Sequence, residues 1–566
     1  MPQKPLLSVV DLTVSFPAAQ NFDAVKEVSF SLEEGKTLAI VGESGSGKSL
    51  IALTMMGLQP KESSIKGQVN LQNGTNLVPL HQFNQKDWQS YRGNIFGMIF
   101  QEPMSALNPV QCVGRQIQEC IRQHQQLSKK QAKAKTIEWI KKVKLPNPER
   151  IYYRFPHQLS GGQKQRIMIA MAMCNHPKIL LADEPTTALD ATVQQEIILL
   201  MKDLQAETGT SMIFISHDLG LTAQIADDIM VMHKGICLEY GLATKILSDP
   251  KADYTKALLS CRPNINNKDK KLPVIADYMA GKVLQEILPQ QKRPGNLILS
   301  LKNVHIWYSE GKNLFGKTSR YFKAVNDVSF DLYKGTTIGL VGESGCGKST
   351  IGKSLMGLVP IKSGKITLDN ERIDGFKGNQ WNEARKVMQL VFQDPFASLN
   401  PRRTVADIIT EPLLIHHLHK GKDLQKEAER LLDMVQLPKN AGLRYPHQFS
   451  GGQRQRIGIA RALAVQPQIL ICDESVSALD VSVQAQILNL LKELQYELNL
   501  SYLFISHDLS VVHYMSDQIL VMQHGEIAES GTADDVILHP QVAYTKQLID
   551  SMSLTESSRV LLSARL

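Results

Sequence analysis

The sequence predicts an α/β protein built from two P-loop domains in tandem, and three observations lead to that prediction. A glycine-rich segment at 42–49 recurs almost unchanged at 342–349. Each copy follows a short apolar run that is typical of a strand buried on both faces of a parallel sheet. A helical pattern follows each copy, and the length of 566 residues exceeds what a single hydrophobic core usually organises. Two related halves explain this length better than one large domain.

Both glycine-rich segments fit the pattern G-x-x-x-x-G-K-[ST], which predicts a phosphate-binding loop. The glycines let backbone N–H groups close around phosphate oxygens, the lysine reaches the outer phosphates, and the hydroxyl binds Mg²⁺. The loops therefore predict a nucleoside triphosphate site in each half. The predicted contacts are Gly42, Glu43, Ser44, Gly45, Ser46, Gly47, Lys48 and Ser49 in the first half, and Gly342, Glu343, Ser344, Gly345, Cys346, Gly347, Lys348, Ser349 and Thr350 in the second.

An alternating pattern predicts a strand near the start of each half, at 12–16 and 304–308. The aromatic residues Phe16 and Tyr308 align in the repeat. Two interpretations stay open from the pattern alone, namely packing against the sheet and stacking on an adenine base.

Further strands are predicted at 67–71 and 364–368, and amphipathic helices at 129–143 and 424–435. Between these elements, the segments 100–103 and 392–395 repeat a Phe-Gln-acid-Pro pattern. This pattern places Gln101 and Gln393 at equivalent positions.

A Ser-Gly-Gly-Gln tetrapeptide precedes a long helical pattern in each half. A hydroxyl and exposed N–H groups at the positive end of a helix form a second kind of phosphate-binding device. A single such tetrapeptide is usually just an N-cap and a turn, but two copies at matching positions favour phosphate binding. The predicted contacts are Ser160, Gly161, Gly162 and Gln163, and Ser450, Gly451, Gly452 and Gln453.

An apolar strand that ends in two carboxylates is predicted at 179–184 and again at 469–474. Asp183 and Asp473 can hold Mg²⁺ at the strand end. Glu184 and Glu474 can then polarise the attacking water as general bases. Two solvated acids at a strand end would be the alternative for a single copy.

Each half then repeats an Ala-Leu-Asp tripeptide and a histidine after an apolar strand. The tripeptides end at Asp190 and Asp480, and the histidines are His217 and His507. A histidine at such a position is often a capping or packing residue. Here the histidine is the last of several motifs that occur in the same order in both halves, so contact with a γ-phosphate is the second interpretation.

Composition excludes several classes of protein. With 43% hydrophobic and 21% charged residues, the chain resembles ordinary globular proteins, and its net charge of +8 without a basic–aromatic cluster does not predict nucleic-acid binding. Seven cysteines without C-x-x-C spacing argue against a disulfide framework or a zinc site and favour a reducing cytoplasm. No signal-peptide pattern and no apolar run of about 20 residues is present, so a membrane role requires a partner.

The repeat predicts domain boundaries. We expect domain 1 at 1–262, a proline-punctuated linker at 263–295, domain 2 at 296–553 and a tail at 554–566. A short helix is expected near 278–288 in the linker. The serine-rich tail is expected to be loosely held.

The ordered set of phosphate loop, Gln, Ser-Gly-Gly-Gln, Asp-Glu, Ala-Leu-Asp and His resembles the ATP-binding domains of ABC transporters, twice over nearly the whole chain. The Leu-Asn-Pro segments that end at 109 and 401, with the terminal Tyr-Thr-Lys motifs, look like the oligopeptide, dipeptide, nickel and glutathione importer group. Fusion of two such domains is most similar to the fused ATPases of microcin C and peptide importers.

The resemblance implies a fold for each half: a RecA-like, mainly parallel sheet with an antiparallel β subdomain and an α-helical subdomain. It also implies that the two halves are arranged head to tail with two ATP molecules between them. Each phosphate loop would then face the Ser-Gly-Gly segment of the other half. By the same resemblance Phe16 and Tyr308 stack on adenine, and Gln101 and Gln393 sense Mg²⁺ and couple to the permease.

Further roles are implied for the remaining motif residues. Glu184 and Glu474 are implied to be catalytic, His217 and His507 to contact the γ-phosphate, and Asp190 and Asp480 to connect the two sites. The implied cofactors are ATP and Mg²⁺. The implied partners are two transmembrane permease subunits and a periplasmic or extracellular substrate-binding protein, with the chain peripheral at the cytoplasmic face of the membrane.

Three departures from the family pattern are visible: Phe449 replaces leucine, Ser475 replaces the proline found at Pro185, and Cys346 lies in the second loop. None of them removes a phosphate, metal or water ligand, so both sites are expected to hydrolyse ATP. The Cys346 side chain is expected to fill space in the loop rather than to act as a redox switch. A second hypothesis is a soluble twin ATPase acting on ribosomes or DNA, although the chain lacks a long charged insertion and a cysteine cluster. An exporter half is excluded by the absence of a spanning segment.

Overall fold

The computed structural model describes residues 5–17, 22–101, 106–187, 189–261, 263, 268, 270–281, 295–309, 321–394, 396–418, 423–477 and 479–550. The described chain forms two compact units that divide between Leu259 and Ser260. The described residues of the predicted linker, from 263 to 281, therefore group with the second unit.

The first unit contains two sheets. An antiparallel sheet has the strand order β2-β1-β4-β5, and a six-stranded sheet has the order β10-β9-β3-β8-β7-β6, in which only the β9–β10 pairing is antiparallel. The strands are β1 (Leu7–Phe16), β2 (Phe22–Leu32), β3 (Thr37–Val41), β4 (Ser64–Asn73), β5 (Asn76–Pro79), β6 (Phe96–Ile99), β7 (Ile179–Asp183), β8 (Ser211–Ser216), β9 (Asp228–His233) and β10 (Ile236–Leu242).

Helices of the first unit flank the parallel sheet or form a helical region between β6 and β7. The helical segments are Lys48–Met55, Leu80–Gln82, Gln85–Tyr91, Val113–His124, Lys129–Lys142, Pro148–Tyr152, Pro156–Gln158, Gly161–Met173, Ala191–Thr208, Leu219–Ile225, Ala243–Ser248 and Asp253–Ser260.

The second unit repeats this architecture. Its antiparallel sheet has the order β12-β11-β14-β15, and its parallel sheet has the order β16-β17-β18-β13-β19-β20, with an antiparallel last pairing. The strands are β11 (Leu297–Ser309), β12 (Tyr321–Tyr333), β13 (Thr337–Val341), β14 (Ser363–Leu368), β15 (Glu371–Arg372), β16 (Met388–Val391), β17 (Ile469–Asp473), β18 (Ser501–Ile505), β19 (Gln518–Gln523) and β20 (Glu526–Thr532).

The helices of the second unit follow the same order, preceded by a short helix from the linker region. The helical segments are Ile275–Met279, Lys348–Leu355, Asn379–Val387, Val405–Ile415, Asp423–Met434, Lys439–Leu443, Pro446–Gln448, Gly451–Leu463, Val481–Leu498, Leu509–Met515 and Ala533–Leu538. Residues 543–550 are also helical.

Central strands are buried along their whole length, as their apolar sequences predict. Every residue of β3, β7, β13 and β17 is buried. A strand inside a parallel sheet has both faces covered, so it favours β-branched and leucine side chains at every position. The carboxyl ends of these strands carry the polar residues of the candidate sites.

The predicted α/β class is confirmed, as are the strands predicted at 12–16, 67–71, 304–308 and 364–368 and the helices predicted at 129–143 and 424–435. The linker helix predicted near 278–288 mostly lies outside the described residues, and the described helix there is Ile275–Met279. The predicted tail at 554–566 also lies outside them. No helix in the described part of the chain is long and apolar enough to cross a bilayer.

The segment 270–281, which we call the strap, packs on the second unit. The backbone N–H of Leu272 donates to Asn489 Oδ1 at 3.0 Å, and Asn489 Nδ2 donates to the carbonyl of Leu272 at 2.8 Å. Lys271 forms an ion pair of 2.7 Å with Glu493. The strap also lines one wall of a cavity of about 510 Å³ that Ser450 and Gln453 line as well.

Candidate active sites

Each phosphate loop connects a buried strand to a helix, and its first glycine is sterically required. Gly42 and Gly342 have φ values of 153° and 152°. A Cβ atom would lie 2.1 Å from the carbonyl oxygen of Met232 at Gly42, and 2.2 Å from that of Met522 at Gly342. Only glycine fits there, because the loop backbone passes directly against the neighbouring strand β9 or β19.

The loop lysines are buried and lie folded over their own loops. Lys48 Nζ donates to the carbonyl oxygens of Gly42 and Glu43, both at 2.8 Å. Lys348 makes the equivalent bonds to Gly342 and Glu343 at 2.7 and 2.9 Å. A buried ammonium at this position is well placed to receive an anionic phosphate.

The loop serine and the strand-end aspartate meet in both units. Ser49 Oγ donates to Asp183 Oδ1 at 2.9 Å, and Ser349 Oγ donates to Asp473 Oδ1 at 2.7 Å. Burial raises the pKa of Asp183 to about 6 and raises the pKa of Asp473 as well. A hydroxyl and a buried carboxylate side by side form an oxygen donor pair that suits Mg²⁺, because the cation stabilises the charged carboxylate.

Glu184 follows Asp183 directly and receives several donors on one oxygen. Gln101 Nε2 donates to Glu184 Oε2 at 3.0 Å, the hydroxyl of Thr187 donates at 2.9 Å, and His217 Nδ1 lies 3.4 Å away. Burial opposes ionisation, but His217 and Thr187 outweigh it and lower the pKa of Glu184 to about 2. The carboxylate is therefore ionised and held at one orientation.

The second unit brings together the same residues with one donor fewer. Gln393 Nε2 donates to Glu474 Oε2 at 2.6 Å, and His507 Nδ1 lies 3.7 Å from it. Ser477 occupies the position of Thr187, but its hydroxyl is buried and makes no hydrogen bond within the described residues. Burial favours a lower pKa for His507, but the contact with Glu474 outweighs it and raises that pKa. Burial favours a higher pKa for Glu474, but the contact with His507 outweighs it and lowers that pKa.

Both glutamates adopt a strained backbone conformation. Glu184 and Glu474 have φ values of 46°, in the left-handed region that residues with a Cβ atom rarely occupy. Such strain costs about 1–3 kcal/mol and is concentrated at functional sites. Its recurrence in both units indicates that the turn after the strand is built to aim the carboxylate.

Sequence reasoning missed Thr187. Its only sequence signal was a hydroxyl residue three positions after the glutamate in each repeat, as Thr187 and Ser477. Which of the two hydroxyls reaches the carboxylate depends on the packing of the loop, so the pattern alone could not distinguish them.

The Ser-Gly-Gly-Gln segments form helix starts. Ser160 Oγ accepts from the backbone N–H of Gln163, and Gln163 Oε1 accepts from the N–H of Ser160, each at 3.3 Å. Ser450 and Gln453 repeat this capping box. These residues thus pair with each other, and their predicted role toward ATP stays a prediction.

The glycines of these segments allow close helix packing. A Cβ atom at Gly162 would lie 2.7 Å from Val193 Cγ1, and one at Gly452 would lie 2.1 Å from Val483 Cγ1. The neighbouring helices both begin after an aspartate, since Asp190 and Asp480 are their N-caps, and Asp190 Oδ1 accepts from the N–H of Val193 at 2.9 Å. Their predicted role in connecting the two sites stays a prediction.

The two aromatic candidates lie at the ends of β1 and β11. Tyr308 is 40% exposed, and its hydroxyl lies 3.5 Å from the Thr350 hydroxyl, beside the second phosphate loop. Phe16 is half-buried and pairs with Phe22 across the sheet. An exposed ring next to the loop favours stacking on a base for Tyr308, whereas both interpretations stay open for Phe16.

Two of the departures from the family pattern, Phe449 and Cys346, occupy the same environment as their counterparts in the first unit. Phe449 is buried like Leu159 in the first unit, and the Arg444 guanidinium lies 4.5 Å from its ring centroid. Cys346 Sγ lies 3.8 Å from Lys348 Nζ, as Ser46 Oγ lies 3.4 Å from Lys48 Nζ. Burial raises the pKa of the Cys346 thiol, which disfavours a reactive thiolate.

Comparison with known protein families gives two matches. The family described as ABC transporter matches residues 25–187 and 325–477. The family described as oligopeptide/dipeptide transporter, C-terminal region, matches residues 238–284, a range that begins in β10 and includes the whole strap.

Two similar proteins each cover nearly the whole chain. The glutathione import ATP-binding protein GsiA of Pectobacterium atrosepticum is 43% identical over 571 residues, which cover 99% of this chain and 91% of that protein. Its counterpart in Escherichia coli K12 is 43% identical, over 98% of this chain and 90% of its own length. The solved dimeric structure of the ATP-binding cassette MJ0796 with ADP and Pi covers 42% of this chain and 99% of its own, at 28% identity and a TM-score of 0.38.

Proposed function

This chain belongs to the ABC transporter family as an ATP-hydrolysing chain with two ATP-binding domains, and from that premise we propose that it energises the import of peptides or peptide-like compounds. The proposed substrates are glutathione and short peptides. ATP hydrolysis in the two domains supplies the free energy, and transmembrane permeases in other chains form the path.

One observation carries the proposal: similarity to proteins named for glutathione import runs through both repeats and the region between them. The identity of 43% extends over 98–99% of the chain. The region 238–284 separately matches an oligopeptide/dipeptide transporter family, and it lies outside the two ABC domain matches. The similarity is therefore not confined to the motifs that any ABC ATPase requires.

The residues that hold ATP and Mg²⁺ under this proposal are those of the loops and strand ends. Lys48 and Lys348 would leave the loop carbonyls for the outer phosphates, while Ser49 with Asp183, and Ser349 with Asp473, would hold the Mg²⁺. Gln101 and Gln393 are the further metal ligands that we propose. Bound Mg²⁺ supplies neutralisation of phosphate charge.

Glu184 and Glu474 are proposed as the general bases. A carboxylate with a pKa near 2 is a weak base, because the donors around Glu184 Oε2 stabilise its charge. If Gln101 and His217 turn toward bound nucleotide, two of these donors are lost and the basicity of Glu184 rises. The site would then gain a competent base only after ATP has entered.

The partners that we propose are two permease subunits and an extracytoplasmic substrate-binding protein. The chain would act at the cytoplasmic face of the membrane through the permeases. No observation favours the alternative of a ribosome or DNA factor.

The experiment combines transport and co-purification. A strain lacking this chain should lose uptake of labelled glutathione or of defined di- and oligopeptides, and expression of the chain should restore that uptake. Tagged chain from detergent-solubilised membranes should carry two integral membrane proteins with it.

A matched control separates energy supply from assembly. The Glu184→Gln/Glu474→Gln variant should still bring down the membrane proteins but should not restore uptake. Recovery with ribosomes or DNA and without membrane proteins would contradict the proposal, as would unchanged peptide and glutathione uptake in the deletion strain.

A further inference from the structure

The Tyr-Thr-Lys motif near the end of each half has no role in the function described so far. Tyr254 lies on the helix Asp253–Ser260, and Tyr544 lies on the equivalent helical segment 543–550. Both side chains are buried. Tyr254 follows Glu43 of its own phosphate loop by 211 residues, and Tyr544 follows Glu343 by 201 residues, so local pattern gives no reason to connect the motif with the loop.

Each tyrosine hydroxyl contacts the phosphate loop of its own unit. The backbone N–H of Glu43 donates to the hydroxyl oxygen of Tyr254 at 3.2 Å. The backbone N–H of Glu343 donates to the hydroxyl oxygen of Tyr544, also at 3.2 Å. Two separately folded units thus form the same bond at the second residue of the loop, which makes a chance contact a poor explanation.

The second loop residue is held from both sides. Lys48 Nζ donates to the carbonyl oxygen of Glu43, while Tyr254 accepts from its N–H. Lys348 and Tyr544 repeat the arrangement at Glu343. Under the proposed function the lysine would turn to a phosphate and would give up its bond to the loop carbonyl. The tyrosine bond does not depend on the lysine and can persist.

The tyrosines are themselves positioned by an acidic residue on the last strand of each sheet. Glu239 on β10 accepts from the backbone N–H groups of Lys251 and Ala252 at 2.8 and 3.3 Å. Glu529 on β20 accepts from those of Gln541 and Val542 at 2.8 and 3.2 Å. The carboxylate satisfies N–H groups just before the helix and so fixes where the tyrosine lies.

We propose that Tyr254 and Tyr544 are positioning residues for ATP binding, which keep the phosphate loop in its binding shape when the loop lysine engages the nucleotide. The assignment rests on the ATP sites of the proposed function but does not depend on the transported substrate. It gives the Tyr-Thr-Lys motif a role within each ATP site.

The first unit adds an imidazole to this contact. The His233 ring lies 4.3 Å from that of Tyr254, and His233 Nδ1 lies 3.8 Å from Glu43 Oε2. Gln523 takes the position of His233 in the second unit. The tyrosine–loop bond is therefore the part of the arrangement common to both sites.

The test uses Tyr254→Phe/Tyr544→Phe, which removes both hydroxyls and keeps both rings. We expect the KM for ATP to rise about three- to tenfold while kcat changes less than about twofold, because a part-buried loop N–H loses its acceptor before ATP binds. Steady-state ATP hydrolysis by the full chain measures both constants. Hydrogen exchange of the Glu43 and Glu343 amides should also become faster.

The matched control is Tyr152→Phe/Tyr502→Phe, which removes one buried hydroxyl from each unit away from the loops. Tyr152 donates to Gln118 Oε1 at 2.6 Å, and Tyr502 donates to the carbonyl of Leu491 at 2.7 Å. We expect the control to lower the melting temperature but to keep the wild-type KM. A purely structural role of Tyr254 and Tyr544 would give both variants the same kinetics.

An unchanged KM in the test variant, or an equal rise in the control, would overturn the inference. Neither result would bear on transport, since the assay needs only the isolated chain and ATP. Conversely, normal peptide uptake by a strain that lacks this chain would contradict the proposed function. It would not affect the inference about Tyr254 and Tyr544, which depends on the KM for ATP.

Discussion

At the scale of single residues, the two catalytic candidates differ in their hydrogen-bond donors. Glu184 receives Gln101 and the Thr187 hydroxyl, whereas the hydroxyl of Ser477 does not reach Glu474. Hydrogen bonds to a charged group contribute about 1.5–3 kcal/mol. The Thr187 hydroxyl therefore helps to orient the first carboxylate, and its γ-methyl group restricts its rotamer, whereas Ser477 adds no such donor at the second carboxylate.

Replacement of the Thr187 hydroxyl tests this difference. We expect Thr187→Val to slow hydrolysis at the first site about three- to tenfold, because Glu184 loses an orienting donor. The turnover of the whole chain should then fall by at least about a third. Ser477→Ala is the matched control and should stay within about 20% of wild type, because no hydrogen bond to Glu474 is lost. Equal losses in the two variants would contradict the assigned difference.

At the scale of elements, the strap distinguishes the two units. Asn489, which is 3% exposed, pairs with both backbone groups of Leu272 and accepts from the hydroxyl of Tyr514 at 3.1 Å. The equivalent residue in the first unit is Leu199, which is 55% exposed. The helix Val481–Leu498 therefore carries a polar side chain that hydrogen-bonds the strap, whereas the equivalent helix Ala191–Thr208 has leucine at that position.

The variant Asn489→Leu gives the second unit the leucine that the first unit has at the equivalent position, Leu199. Since Leu272 and Tyr514 lose their partners in a buried position, we expect the second unit to lose about 1–3 kcal/mol of unfolding free energy. Trypsin should also cleave faster after Lys270 and Lys271. The control Leu199→Asn lies on an exposed surface and should change stability by less than about 0.5 kcal/mol. Unchanged cleavage in Asn489→Leu would show that the strap is held by other contacts.

At the scale of the whole molecule, the duplication matters because both units bring together the residues that we propose for hydrolysis. The departures at Phe449 and Ser475 leave the serine–aspartate pair and the glutamine–glutamate pair of the second unit in place. We therefore expect two productive sites in one chain.

Two single variants and their combination test this expectation. Glu184→Gln and Glu474→Gln should each lose at least about half of the ATP turnover, and the double variant should fall about 100-fold or more, because a general base contributes about 10²–10⁴ in rate. Glu207→Gln and Glu497→Gln, exposed at equivalent positions, should keep wild-type turnover. A single site variant with full turnover would mean that only the other site is productive.

Much of the fold and of the site was predictable because the relevant signals are local. The loop at 42–49, the strand that ends at Asp183 and the helix that begins after Ser160 are each encoded within a dozen residues, and their repetition removed the ambiguity of a single copy. The sequence by itself thus determined the α/β class, the duplication and the candidate ATP residues.

Only the tertiary structure decided which distant residues complete these parts. The Tyr254 hydroxyl and the Glu43 N–H are 211 residues apart, and Leu272 and Asn489 are 217 residues apart. No periodicity connects residues at such separations, because these bonds form only after sheets and helices have packed. Likewise, whether Thr187 or Ser477 reaches its glutamate depends on the shape of a folded loop.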